Sequence, residues 1–313
     1  MKPARWGAVE IGGTKVICLV GSGPEHVVAQ LRLPTGEPAG TLAAVLGFFH
    51  QQVAAGGPLA AVGIASFGPL ELRRSHPMYG YITATPKPNW SGVDVVGPTR
   101  QALGVPVGFD TDVNSAALAE GRWGAARGLD TFVYLTVGTG IGAGAIVGRQ
   151  PLRGLGHPEM GHLSVPRSPG DDFAGCCPFH GDCLEGMASG TALASRWGDP
   201  AERLDGGRLR AAIQLEAGYL AAGLRNIVYA IAPQRIVIGG GLTGLPGLFP
   251  LVRSGLSAAL AEYPGLPEHA ADDFVVPAAL GSLAGPAGAL ILAERATAVD
   301  GTVPEIEETD HDR

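Results

Sequence analysis

The sequence predicts an α/β fold with two lobes and a ligand cleft between them. The 313 residues suit two domains of roughly 150 residues each better than one small core. Hydrophobic residues make up 46% of the chain, which is enough for packed interiors. A strand that enters a glycine turn and leaves as a second strand occurs once in each half. This repeat favours a duplicated α/β fold with one phosphate loop per lobe.

The first half contains the elements of one such lobe. An apolar strand at 8–11 breaks at a glycine turn, 12–14, and resumes over 16–20, which is typical of a hairpin. Apolar residues at helical spacing and two short apolar runs predict a helix and two buried strands, over 41–55, 61–65 and 105–109.

The second half repeats the hairpin and continues with longer elements. A strand over 132–137 runs into a turn at 138–140 and leaves over 141–147. A long helix, a strand that ends in three glycines, and a strand followed by a small-residue helix are predicted over 208–231, 235–238 and 274–293.

Charge and composition exclude several kinds of partner. The net charge is −7 and no basic stripe is present, so we expect no nucleic acid partner. The uncharged run 274–293 is long enough to cross a bilayer, but its glycines and prolines favour a strand and a helix. The first seven residues lack the apolar core of a signal peptide, so we expect a cytoplasmic protein with no membrane partner. Residues 300–313 hold six acids and one base, and we expect a disordered tail there.

A cluster of cysteines and histidines predicts a metal site. Cys177, His180 and Cys183 follow a Cys-x2-His-x2-Cys spacing, and His162 lies upstream. Two thiolates and two imidazoles match a closed tetrahedral zinc site, so the zinc would be structural. Cys176 is a spare thiol or an alternative ligand. Buried cysteines beside surface histidines are the simpler alternative.

Three glycine-rich loops are candidates for nucleotide binding, because backbone N–H groups without side chains in the way can approach phosphates or a flat base closely. Their residues are Gly12, Gly13, Thr14 and Lys15 in the first, Gly138, Thr139 and Gly140 in the second, and Gly239, Gly240 and Gly241 in the third. Neither a Walker loop nor a dinucleotide fingerprint is present. Ordinary turns are the alternative for each loop.

The segment Asp-Thr-Asp-Val-Asn at 110–114 is the candidate for proton transfer. It follows the strand at 105–109 and precedes an Ala-rich helix predicted to begin near Ser115. Carboxylates at a strand end face the cleft of an α/β fold and can take a proton from a hydroxyl group. The alternative is that Asp112 or Asn114 caps the helix.

Seven motifs follow one another along the chain: EIGGTK (10–15), TPKPNW (85–90), DTDVN (110–114), TVGTGIG (136–142), HPEMGH (157–162), CPFHGDCLEG (177–186) and IGGGL (238–242). In this order, over about residues 7–298, they resemble the ROK (repressor, ORF, kinase) group of sugar kinases and its bacterial zinc-containing fructokinase branch. Glu10, Thr111 and His180 differ from most of the wider family and are typical of that branch.

The resemblance implies a duplicated actin-like (ribonuclease H-like) ATPase fold that binds ATP and Mg²⁺ in its cleft. Residues 1–115 and a C-terminal helix over 284–299 would form the first lobe, and residues 116–283 would form the second lobe with the zinc loop. Asp112 takes the place of the catalytic base, and the three glycine loops match the nucleotide site. The implied sugar ligands are Asn89, Glu159, His162 and Glu185, and His162 is shared with the zinc.

The implied activity is transfer of the γ-phosphoryl group of ATP to the 6-hydroxyl of a hexose, D-fructose first, by a homodimer. A kinase for glucose, mannose or allose, a sugar-responsive repressor and an actin-like or chaperone-like ATPase are the alternatives. Repressors of this family carry an N-terminal helix-turn-helix, whereas the first strand here begins at residue 8, so we expect no DNA-binding domain. The zinc loop and the implied sugar ligands argue against an actin-like or chaperone-like ATPase that has no small substrate.

Overall fold

The computed structural model describes residues 4–299, which contain two five-stranded sheets and a two-stranded one. The strands are β1 (Trp6–Ile11), β2 (Lys15–Gly23), β3 (His26–Pro34), β4 (Ala61–Ser66), β5 (Tyr81–Ile82), β6 (Val93–Asp94), β7 (Val107–Thr111), β8 (Phe132–Val137), β9 (Ile141–Val147), β10 (Gln150–Pro151), β11 (Ile236–Gly239) and β12 (Val275–Pro277). The α-helices are α1 (Pro38–Gly56), α2 (Val96–Leu103), α3 (Asp112–Trp123), α4 (Leu184–Ala188), α5 (Gly190–Trp197), α6 (Gly206–Ile231), α7 (Leu248–Leu260) and α8 (Ala284–Val299).

The two large sheets have the same topology. Their strand orders are β3-β2-β1-β4-β7 and β10-β9-β8-β11-β12. In the first sheet β1 pairs antiparallel with β2 and parallel with β4, and in the second β8 pairs antiparallel with β9 and parallel with β11. Each sheet has its own apolar core. The duplicated α/β fold predicted from the repeated hairpin is therefore confirmed.

Two helices pack against each other between the sheets. Helix α8 packs on β1, β4 and β7, while α3 packs on β8 and β9. Their backbones approach closely, because a Cβ atom added at Gly288 would lie 1.8 Å from the Ser115 carbonyl oxygen. The Ser115 hydroxyl donates to the Gly285 carbonyl at 2.9 Å. Small residues in α8 thus bring the start of α3 to the centre of the molecule.

The junction between β7 and α3 differs from the sequence prediction. Strand β7 extends to Thr111, and α3 begins at Asp112 rather than near Ser115. The Thr111 hydroxyl accepts the Asn114 N–H at 3.1 Å and caps the helix, so the alternative that Asp112 or Asn114 serves as the cap is wrong. Because Asp112 is not needed as a cap, its carboxylate is available at the helix start.

The uncharged run 274–293 forms β12 and the first part of α8, as the sequence predicts. Within residues 4–299, no helix combines the length and the apolar composition needed to cross a membrane. The acidic segment 300–313, predicted to be disordered, lies outside the described residues.

Candidate active site

A cavity of about 420 Å³ opens between the two large sheets. Glu10 and Lys15 of the first hairpin line one side, and Thr136 at the end of β8 lines the other. Asp112, at the start of α3, lies in the wall between them. The third glycine loop, 239–241, also lines the cavity. The fold therefore brings together residues that are more than 200 positions apart in the sequence.

The first two glycine loops are held in place by backbone hydrogen bonds. Gly12 donates to the Lys15 carbonyl at 2.9 Å and closes the turn that contains Gly13 and Thr14. In the second loop Gly138 donates to Gly140 at 2.9 Å. A Cβ atom added at Gly138 would lie 3.9 Å from the Gly241 nitrogen, so the second and third loops are neighbours.

Gly140 contributes to the second loop by its lack of a side chain, and Thr139 contributes through its backbone carbonyl. An added Cβ atom at Gly140 would lie 2.6 Å from a carboxylate oxygen of Glu185, so a larger residue there would displace the Glu185 carboxylate from its present position. The Glu185 carboxylate accepts the Ile141 N–H at 3.0 Å. The Thr139 side chain is exposed, while its carbonyl accepts the Thr191 hydroxyl at 2.8 Å. The second glycine loop therefore lies against Glu185, a predicted sugar ligand.

Lys87 is a cation to which the sequence analysis gave no role. Its ammonium group donates to the Gly13 carbonyl at 2.7 Å, which brings a second positive charge beside Lys15 and the first turn. Its place in the TPKPNW motif was the only sequence signal that could have identified it.

Two carboxylates face the cleft with raised pKa values. Burial raises the pKa of Asp112 to about 6, although the Val113 N–H donates to its Oδ1 at 2.9 Å. Burial and the charge of Asp112 raise the pKa of Glu10 to about 7, against the effect of Lys15. A carboxylate with a raised pKa in a cleft is typical of a group that moves a proton or awaits a cation.

Glu10 has a free acceptor atom. Its Oε2 is buried and has no hydrogen-bond partner among residues 4–299, and a Cβ atom added at Gly285 would lie 2.1 Å from its Oε1. The glycine in α8 therefore leaves space for the carboxylate. Two hard oxygen donors, Glu10 and Asp112, beside a cleft fit Mg²⁺, which prefers carboxylate oxygen and water ligands.

The predicted sugar ligand Glu159 lies near Asp112 and near Glu185, although neither glutamate is among the described residues that line the cavity. Partial burial and the charges of Asp112 and Glu185 raise the pKa of Glu159 to about 7. Glu159 is thus close enough to both of the other carboxylates to be repelled by them. A polyhydroxylated ligand between them would supply the hydrogen-bond donors that they lack.

His157 connects Glu159 to the other lobe, and the sequence analysis assigned it no role. Its side chain is only 7% exposed. The Leu70 N–H, from the segment after β4, donates to His157 Nε2 at 3.0 Å. The ring proton therefore sits on Nδ1, which lies 3.3 Å from Glu159 Oε1. Burial keeps the pKa of His157 below its usual range, which favours this neutral form.

Asn89 makes its side-chain hydrogen bonds to a residue in the first half of the chain. Its backbone has a φ of 67°, and its amide donates to both carboxylate oxygens of Glu37 at 3.0 Å. Trp90 is fully buried and anchors this segment, because its indole N–H donates to the Gly36 carbonyl at 3.0 Å. Within residues 4–299, Asn89 forms no hydrogen bond to Glu159, His162 or Glu185, so its role as a sugar ligand stays a prediction.

The four residues predicted to bind zinc lie together. The ligand atoms of His162, Cys177, His180 and Cys183 are within 4.8 Å of one another. His162 Nδ1 lies 3.6 Å from Cys177 Sγ and 3.5 Å from Cys183 Sγ, and His180 Nδ1 lies 3.7 Å from Cys177 Sγ. A tetrahedral zinc with usual bond lengths separates a sulfur from a nitrogen ligand by about 3.5 Å. The donor set therefore fits zinc, and Cys176 is not part of the group.

The zinc cluster adjoins the sugar side of the cleft. Cys183 directly precedes α4, which carries Glu185, and the His162 N–H donates to the Glu159 carbonyl at 3.0 Å. A metal bound by His162 and Cys183 would thus fix both glutamates in space.

The duplicated fold, the glycine turns and the carboxylates of the cleft define an ATP-dependent phosphotransferase of the actin-like class. The chain belongs to the ROK family, which it matches over residues 6–296. It is 46% identical over 250 residues to a fructokinase of Zymomonas mobilis, covering 79% of this chain and 83% of that protein. It is 38% identical over 290 residues to a fructokinase of Pediococcus pentosaceus, covering 93% of this chain and 98% of that protein.

A solved structure with the same fold is a ROK family glucokinase from Streptomyces griseus, in complex with glucose and AMPPNP. The two chains superpose with a TM-score of 0.76 at 25% identity, covering 93% of this chain and 100% of the glucokinase. The resemblance to ROK sugar kinases and the actin-like fold expected from the motifs are thereby confirmed.

Proposed function

We propose that this ROK protein is an ATP-dependent fructokinase that converts D-fructose to fructose 6-phosphate. Sugar phosphorylation with ATP is the activity of the kinases that it resembles, and fructokinases are similar over most of its length. The observation that carries the proposal in the structure is the position of Asp112. Its carboxylate lies at the start of α3, in the cavity that the third glycine loop lines and near Glu159, with a pKa raised to about 6.

Asp112 acts as the general base. The oxygen of the sugar 6-hydroxyl attacks the γ-phosphorus, the bond from that phosphorus to the ADP oxygen breaks, and the hydroxyl proton passes to the Asp112 carboxylate. A base whose pKa is close to the working pH suits this transfer. Glu159 and Glu185 orient the sugar through its other hydroxyls, so that one oxygen faces the phosphate.

The positive charges and N–H groups around the cleft stabilise the phosphates. Lys15 and Lys87 lie beside the first turn, and the loops 138–140 and 239–241 present backbone groups from the other lobe. Glu10 is the residue that would hold Mg²⁺, which supplies charge neutralisation at the phosphate oxygens. The zinc cluster would be structural, because its four protein ligands leave no open position.

The decisive experiment is a coupled ADP-release assay with Mg-ATP and a panel of fructose, glucose, mannose, allose and N-acetylated hexoses. We expect the highest kcat/KM for fructose. Turnover on another hexose would support the proposed mechanism but show that fructose is not the preferred substrate. Absence of turnover on every sugar would reject the enzyme and favour a sugar-sensing ROK protein without catalysis.

A second prediction concerns His157. His157→Ala should raise KM for the sugar by roughly 10-fold or more while KM for ATP stays unchanged, because the Glu159 carboxylate loses the imidazole that lies 3.3 Å from it. His157→Gln should restore most of the affinity, since its amide can accept from Leu70 and donate to Glu159. Steady-state kinetics with each substrate varied separately would measure both effects.

His26→Ala, on the exposed edge strand β3, is the matched control and should behave as wild type. Equal changes in both KM values, or no rescue by glutamine, would mean that His157 contributes only to folding.

The remaining expectations from the sequence are also proposals. They are a homodimer, a cytoplasmic location, no nucleic acid or membrane partner, and lobe boundaries at 1–115 and 116–283 with helix 284–299 joined to the first lobe.

A further inference from the structure

Two adjoining cavities, of about 230 and about 650 Å³, share Arg74, Tyr79 and Ala296 in their walls. They form where β7, an edge strand of the first sheet, comes close to α8 and to β10, an edge strand of the second sheet. Among the described residues, they share no wall residue with the cleft that contains Asp112. We call the two cavities together the arginine pocket, after four of their lining residues: Arg74, Arg100, Arg153 and Arg295.

Two acidic groups close to this pocket already have partners. Asp110 forms an ion pair with Arg153, and Glu294 forms one with Arg122. Within residues 4–299, three guanidinium groups of the pocket have no carboxylate oxygen within 4 Å: Arg74, Arg100 and Arg295. The pocket therefore holds more positive than negative charge.

The environment of Arg295 is unfavourable for its positive charge. It is half-buried, and burial and the charges of Arg122 and Arg153 lower the pKa of its guanidinium group, although the charges of Asp110 and Glu294 act in the opposite direction. An arginine nevertheless stays protonated in a protein. Since Asp110 and Glu294 are already paired with Arg153 and Arg122, a further anion in the pocket would stabilise this partly desolvated cation.

The arginines are distributed over both ends of the pocket. Arg153 and Arg295 line the smaller cavity, Arg100 lines the larger one, and Arg74 lines both. Tyr79 faces both cavities, and the Arg74 guanidinium lies 6.0 Å from its ring centre. A ligand that matches this pattern has an anionic group at each end and a body that can lie against an aromatic ring.

We propose that the arginine pocket binds a small sugar bisphosphate, separate from the catalytic cleft. Guanidinium groups bind phosphate oxygens in paired hydrogen bonds, and two phosphates would neutralise the unpaired arginines at both ends. The combined volume lies in the range of pockets that hold small metabolites. The apolar face of the sugar would lie on Tyr79.

The test is titration calorimetry of the full chain with fructose 1,6-bisphosphate as the probe, with the catalytic cleft saturated by fructose and AMPPNP. We expect saturable binding of one probe per chain. Arg100→Gln and Arg295→Gln, one at each end of the pocket, should each weaken binding by roughly 10- to 100-fold. Fructose 6-phosphate, with one phosphate, should bind more weakly than the probe by a similar factor.

Arg149→Gln is the matched control, because Arg149 is exposed and pairs with Asp130 outside the pocket. It should leave binding unchanged. Absence of binding, or binding that both pocket variants retain in full, would overturn the proposal. Binding that appears only when the six acids of 300–313 are changed to amides would also overturn it. In that case the carboxylates of the chain itself, rather than a bisphosphate, would occupy the arginines of the wild type.

Discussion

Asp112→Asn should lower kcat by roughly 10²- to 10⁴-fold and leave ATP binding largely intact, because the variant retains the shape of the cleft without a proton acceptor. The pH profile should change as well. The base works only when deprotonated, so in the wild type kcat/KM should rise with pH through about 6, the pKa of Asp112. The residual activity of the variant should lack this rise.

The Tm of Asp112→Asn shows whether the variant loses activity through a defect in catalysis or through a defect in folding. Because the pKa of Asp112 is raised in the folded protein, the protonated group favours folding at low pH, and that contribution is lost as the pH rises through about 6. A neutral amide at pH 7 should therefore not lower Tm. Asp130→Asn, on the exposed surface, is the control carboxylate and should remain active. Wild-type turnover of Asp112→Asn, or a fall in both activity and Tm, would contradict the assignment.

Loss of the metal should have the largest effect on stability. We expect about one zinc per chain in the wild type and almost none in Cys177→Ser or Cys183→Ser. Apparent binding free energies of structural zinc reach roughly 10 kcal/mol, so Tm should fall by at least about 10 °C. Sugar phosphorylation should fall by roughly tenfold or more, because α4 and Glu185 follow directly after Cys183. Metal analysis and thermal unfolding would measure these changes.

Cys176→Ser is the matched control, since its thiol lies next in sequence to Cys177 but outside the ligand group. It should keep its zinc, its Tm and its activity. If Cys176→Ser loses zinc as the Cys177 variant does, Cys176 is also a ligand. If the Cys177 and Cys183 variants keep the zinc content and the Tm of the wild type, the cluster is not a structural metal site.

Much of the fold could be predicted because its signals are local. The hairpin at Gly12 and Gly13 and its repeat at Gly138 and Gly140 are written in short runs of apolar residues and glycines. The zinc ligands could be predicted for the same reason, since three of them lie within seven residues. The start of α3 could not, because Thr111, Asp112 and Asn114 are all good capping residues and only the backbone decides between them.

The sequence by itself determined the repeated hairpins, the metal-ligand set and, through the order of its motifs, the family. Tertiary structure decided which side chains meet across the cleft. His157 and Leu70 are 87 positions apart, and Gly288 approaches Ser115 across two helices. The unpaired arginines of α8 and the 74–100 region came together in the same way. Contacts between distant segments depend on how the two sheets pack around α3 and α8, and no local pattern of residues encodes that packing.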